Sequence, residues 1–262
     1  MKKQRIIIVT TLLIICVLIF GFTNLNSSNT SDIRSSEVIT IAVKDNSIPD
    51  LYYGIDTRFA AVKKVDVHNA STIYDFLNDG EKDQIEHINF VRITIVKDNQ
   101  LSHVEAYGTN EQLTNTQLEI LRATDYFSHF TVRTEFKAKN KETGKLEERF
   151  FGPHITVVPE KQAIYSEGKD ALIEYLKVNS KESMKVIKGD KLGAIKLSFI
   201  VSKEGIVKNV KHDAMTTGYQ SIDKKLMTLL KNIPGEWIPA ETAKGVKIDQ
   251  EFAFTFGPRD GC

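Results

Sequence analysis

Residues 195–211 read IKLSFIVSKEGIVKNVK, and this stretch decides the fold. Ile195, Leu197, Phe199 and Val201 alternate with Lys196, Ser198 and Ser202, the period of two expected of a strand with one buried face. Lys203-Glu204-Gly205 is a short hairpin turn whose glycine supplies positive φ, and Ile206 to Lys211 form the return strand. Upstream, Ala171, Leu172, Tyr175 and Leu176 sit at helical spacing after Gly168. Downstream, Ser221 offers a hydroxyl N-cap and Asp223 an acid in the first turn. Ile222, Leu226, Leu229, Leu230 and Ile233 then make one apolar stripe that stops at Pro234-Gly235. Finally Ile248, Phe252, Phe254 and Phe256 alternate with Asp249, Glu251 and Thr255. The order α-β-β-α-β predicts an α+β unit with its helices on one face of a small antiparallel sheet.

Four features follow one another in this part of the chain: the hairpin Phe199–Val210, Ile222-Asp223 opening a helix, Pro234-Gly235-Glu236-Trp237-Ile238-Pro239-Ala240, and Gly245-Val246-Lys247 leading into the last strand. On these residues the segment from about 165 to 257 resembles a TonB C-terminal domain. The resemblance implies a binding protein rather than an enzyme. An extended segment of an outer-membrane TonB-dependent transporter would add as a strand beside the final strand, with main-chain hydrogen bonds giving affinity. The implied partner-binding edge is Gln250, Phe252, Phe254, Thr255 and Phe256, with Trp237 either closing the core or touching the partner. A proton-driven inner-membrane motor complex is a second implied partner. Two departures favour the alternative of a structural or regulatory cell-envelope protein. The apolar N-terminal run contains no histidine, and the tether after it contains no proline. An exposed final strand also suits a homodimer.

The preceding block, residues 37–160, reads as another small antiparallel-sheet module in the order of a degenerate repeat. Ile73, Phe76 and Leu77 mark a helix ending at Gly80, and Val91, Ile93 and Ile95 a strand. Lys97-Asp98-Asn99 turn the chain into a return strand from Leu101 to Ala106. A helix begins near Asn115, and strands are predicted over 129–138 and 147–158. Residues 37–70, before the first of these helices, have no counterpart in residues 161–257.

At the N-terminus, Lys2, Lys3 and Arg5 precede an apolar run, Ile6 to Phe22, broken only by Thr10 and Thr11. As a helix it would span roughly 26 Å, near the lower limit for a bilayer. Phe20-Gly21-Phe22-Thr23 makes a poor cleavage site, so a transmembrane anchor is expected over residues 6–22 in preference to a signal peptide. The flanking charge then places residues 1–5 in the cytoplasm and the remainder in the periplasm, as a single-pass inner-membrane protein. Residues 23–36 form a tether reaching about 20 Å, and 258–262 a short tail.

The formal net charge of +1 provides no global field for nucleic acid. Of two cysteines, Cys16 lies in the apolar run and Cys262 is the last residue, so no internal disulfide framework is expected. The six histidines are scattered, with no His-x-x-x-His or His-Glu-x-x-His pattern. No Gly-x-Ser-x-Gly or phosphate-binding loop occurs. Neither catalysis, cofactor nor metal is expected.

Overall fold

The computed structural model describes residues 50–189 and 191–259. Its strands are β1 (Leu51–Asp56), β2 (Ala60–Lys63), β3 (His87–Lys97), β4 (Gln100–Gly108), β5 (His129–Lys139), β6 (Leu146–Phe151), β7 (His154–Val158), β8 (Ile164–Tyr165), β9 (Ile195–Val201), β10 (Val207–Met215), β11 (Trp237–Ile238), β12 (Ala240–Glu241), β13 (Lys247–Ile248) and β14 (Gln250–Pro258). One sheet has the order β2-β7-β5-β3-β4, with β6 also on β5; another has the order β1-β14-β9-β10. Two-stranded ribbons join β8 to β11 and β12 to β13.

The β9–β10 hairpin forms where its alternation requires. Ile195, Leu197, Phe199 and Val201 are fully buried, facing Leu172 and Leu176 of the helix Lys169–Met184 and Ile222, Leu226 and Leu230 of the helix Gln220–Lys231. Gly205 has φ +80°, and a Cβ there would strike the carbonyl oxygen of Trp237, so the turn demands glycine twice over. Asp98 (φ 49°) and Asn99 (φ 64°) turn β3 into β4, both in the left-handed conformation that a two-residue hairpin uses and that Asp and Asn tolerate.

Several expectations are corrected. The fold class is α+β, but the description of an N-terminal transmembrane helix followed by two purely antiparallel modules does not hold. β2 runs parallel to β7, which makes the first sheet mixed. The second sheet takes its fourth strand, β1, from residues 51–56, far outside the α-β-β-α-β segment. Among the described residues no helix is long and apolar enough to cross a membrane. The longest, Lys169–Met184, has 16 residues and carries Lys169, Asp170, Glu174, Lys177, Lys181 and Glu182. The single-pass inner-membrane localisation is corrected on that finding, and Ile6–Phe22 lies outside the described residues.

Smaller differences have local causes. The strand expected over 147–158 is two, because Gly152-Pro153 interrupts it and proline has no N–H for a ladder. β6 and β7 therefore lie along different stretches of β5, Thr134–Lys139 and His129–Thr131. Gly80 sits inside the short helix Asp79–Lys82, begun by a capping box of Asn78 and Glu81. Ser221 does not cap its helix. Tyr219 holds the N-cap position, and Asp223 instead accepts the Thr217 hydroxyl at 2.5 Å.

Thr57–Phe59 link β1 to β2, and Arg58 from this link meets Asp213 of β10 at 2.9 Å with side chains only 13% and 5% exposed. Lys196 of β9 donates to the Arg58 carbonyl at 3.4 Å. Phe59 packs between the rings of His129 (5.3 Å) and His154 (5.1 Å), and its backbone N–H reaches the Thr156 hydroxyl. Among the described residues Arg58 Nε and Asp213 Oδ2 have no further partner. Removing one member of such a buried pair typically costs about 3–5 kcal/mol, because it strands the other charge.

Burial, and then the nearby Arg58 guanidinium, push the His129 imidazole down to about 4. The folded value lies below the ordinary 6.5, so between those limits the unfolded chain takes up a proton that the folded chain refuses. This group's contribution to stability is therefore intact above pH 6.5 and lost as the pH falls towards 4. Thermal unfolding at pH 7, 5.5 and 4.5 is expected to show a smaller acid-side fall in Tm for His129→Gln than for the native chain. Equal falls would mean that another group governs the acid limb.

Candidate functional site

The candidate site is the flank of β14 that faces away from β9. Over Ala253–Pro258 this flank carries β1 in antiparallel register, from Asp56 opposite Ala253 to Leu51 opposite Pro258. β9 pairs with β14 from Gln250 to Phe256 on the other side. Among the described residues Gln250, Glu251 and Phe252 have a ladder partner on the β9 side alone, with Gln162 and Ala163 held against Gln250.

Beside Phe252 lies a cleft of about 320 Å³, between the end of β1 and the segment leading into β8. Ile55, Leu172, Trp237 and Phe252 give it apolar walls, and Asp56, Gln162 and Lys169 polar ones. Such a volume is at the small end of ligand-sized pockets. Lys169 and Asp56 form an ion pair of 2.7 Å, with side chains 51% and 66% exposed. At that exposure the pair contributes about 0–1 kcal/mol and is easily rearranged. Trp237 is buried, yet its indole N–H has no acceptor among the described residues. A buried N–H left unpaired typically costs about 1–3 kcal/mol.

The residues expected to bind a partner are placed as follows. Gln250 is fully buried, and its amide accepts the Ala163 N–H at 2.7 Å and donates to Gln162 at 3.0 Å. Phe252 stacks on Phe199 at 5.6 Å and lies 5.5 Å from Trp237, and it lines the cleft. Phe254 and Phe256 are fully buried against Tyr53 of β1, at 6.3 and 4.9 Å. Thr255 is half-buried, with Gly54 opposite it on one side and Lys196 on the other. Trp237 lies in an aromatic cluster with Tyr165, Phe199 and Phe252, so the core role describes it, while its membership of the cleft wall keeps it within reach of a ligand. Ile6 and Phe22 lie outside the described residues.

Sequence reasoning missed β1, and with it Ile55, Asp56 and the cleft mouth at Lys169. The signal was present as the alternation of Leu51, Tyr53 and Ile55, but nothing local says that a strand at residue 51 pairs with one at 258. β1 is held by its buried side chains Tyr53 and Ile55, each contributing about 1.5–3 kcal/mol. The Tyr53 hydroxyl also meets the fully buried Ser180 Oγ at 2.8 Å, and burial raises the phenol's pKa. The helix that carries Ser180 packs across the strand.

Among the described residues no group of three or more His, Cys, Asp or Glu side chains is placed to hold a metal ion. No family model, curated protein or solved structure matches the chain.

Tyr53→Phe deletes one buried hydrogen bond while leaving Ser180 its contact with the Lys177 carbonyl. It is expected to lower stability by about 1 kcal/mol in urea denaturation. Amide exchange should accelerate in Leu51–Asp56 more than in Ile195–Val201; uniform acceleration would mean that β1 is no looser than the rest of the sheet.

Proposed function

We propose that this chain is a protein-binding module that captures an extended segment of another protein by strand addition at β14. The observation that carries the reading is the incomplete pairing of that strand. Beyond the end of β1, Phe252 has β9 on one side and the cleft on the other, and Gln250 is met there by Gln162 and Ala163. A segment laid there gains main-chain hydrogen bonds from the strand, which set affinity, and places every second side chain against Trp237, Phe252 and Leu172, which sets specificity. The resemblance of residues 165–257 to TonB C-terminal domains supplies the partner class to try first, the extended segment of an outer-membrane transporter.

The reading is tested with ten-residue peptides selected from a random library on the native chain, each then N-methylated one position at a time. Strand pairing predicts that methylation at alternate positions abolishes binding, about a hundredfold or more, while the intervening positions tolerate it. Hydrogen exchange should slow at Glu251 or Phe252 on binding. Peptides that bind without alternation, or that slow exchange elsewhere, would show recognition by side chains or at another surface.

A further inference from the structure

The first sheet ends on a strand with one side unpaired. Among the described residues β6 (Leu146–Phe151) has β5 as its ladder partner and no other. That ladder runs the whole length of β6 without a register shift, and the strand contains neither lysine nor proline. Its charges, Glu147, Glu148 and Arg149, are of both signs, and their order decides what the edge accepts. Two bonds fix which way the backbone points. The Asn140 N–H donates to the Lys145 carbonyl at one end of the ladder, and the Val132 N–H to the Pro153 carbonyl beyond the other. Alternation between them turns the main-chain groups of Glu147, Arg149 and Phe151 towards β5. The N–H and C=O groups of Leu146, Glu148 and Phe150 therefore point out of the sheet.

The order Leu146-Glu147-Glu148-Arg149-Phe150 complements itself when a second copy runs antiparallel with Glu148 opposite Glu148. That register sets Leu146 against Phe150 and Glu147 against Arg149, each twice, about a two-fold axis. The outward main-chain groups of Leu146, Glu148 and Phe150 then meet one another and close hydrogen bonds at all these positions. Leu146 and Phe150 are 58% and 62% exposed, on the face of the sheet that carries Arg133 and Lys137. The Arg133 guanidinium already lies over the Phe150 ring at 4.6 Å. Glu147 and Arg149 lie on the other face, where they form an exposed ion pair of 3.3 Å that a second copy extends into a ring of alternating charges. Glu148 opposite itself is the unfavourable element. It arrives with Asn89 donating to it at 2.6 Å and with the Lys137 ammonium 3.9 Å away. The register ends at Phe150, short of Ile155, where β2 begins to occupy that side of the sheet.

We infer that β6 is a self-association edge, through which two copies of this chain join into one continuous sheet about the two-fold axis at Glu148. The surface is separate from β14, so the inference stands apart from strand addition there. The charges also specify the register. Moving the axis to Glu147 sets that residue against itself and Lys145 against Arg149. Moving it to Arg149 sets that residue against itself and Glu148 against Phe150. Both alternatives oppose like charges and bring no acid to a base, whereas the axis at Glu148 pairs acid with base and apolar with aromatic on both sides.

The test uses the full chain with Cys16 and Cys262 changed to serine, followed by sedimentation velocity over a range of concentrations. Glu147→Arg sets arginine against Arg149 at both ends of the register, and it is expected to weaken the dimer about tenfold or more. Arg149→Glu should do the same with two acids. The two substitutions together restore both ion pairs and should return the dissociation constant to within about threefold of the starting value. On the same background Glu148→Cys should oxidise to a disulfide-linked dimer, since residues facing each other across the axis lie about 5.5 Å apart at Cα. Leu146→Cys and Phe150→Cys each lie about 14 Å from their own copies and should stay reduced. A chain that is monomeric at every concentration would overturn the inference. So would a dimer indifferent to both single swaps, or one that the double swap fails to rescue.

Discussion

The pairing of β1 with β14 is the constraint on which the rest of this structure depends. Without it the C-terminal sheet would have three strands, and Phe254 and Phe256 would lose the Tyr53 ring that closes one side of their core. The same pairing fixes where the chain must leave the sheet. Once Asp56 is opposite Ala253, Thr57 and Arg58 fall beside β9 and β10, and Arg58 finds Asp213. From there Phe59 is set against His129 and His154, so one edge strand ties the two sheets to a common polar centre. A strand pair of six residues thereby decides both the contact between the sheets and the cleft beside Phe252.

The opposite edge of the same sheet is built to refuse partners. β10 carries Lys208 and Lys211 on its exposed side, and its ladder with β9 is broken by register shifts between Lys208 and Lys211 and between His212 and Ala214. Lysines and bulges on an edge strand are the usual means of preventing association with another chain. β1 has neither lysine nor proline and no register shift against β14. The sheet is thus asymmetric in what it allows, guarded along β10 and permissive on the β1 side.

What could be read from the sequence was what is local. The β9–β10 hairpin, its glycine turn, the leucine stripe of Gln220–Lys231 and the alternation of β14 all depend on neighbours within a dozen residues, and they are found close to where periodicity places them. The β3–β4 hairpin and the helix Asn115–Arg122 were legible for the same reason. The parallel contact of β2 with β7 and the docking of β1 were not, because each joins segments roughly ninety to two hundred residues apart and no residue type announces its distant partner. The candidate site inherits this division. Its floor, Trp237 and Phe252, was visible as an aromatic cluster around the final strand; its mouth, Asp56 and Lys169, exists only once β1 is in place.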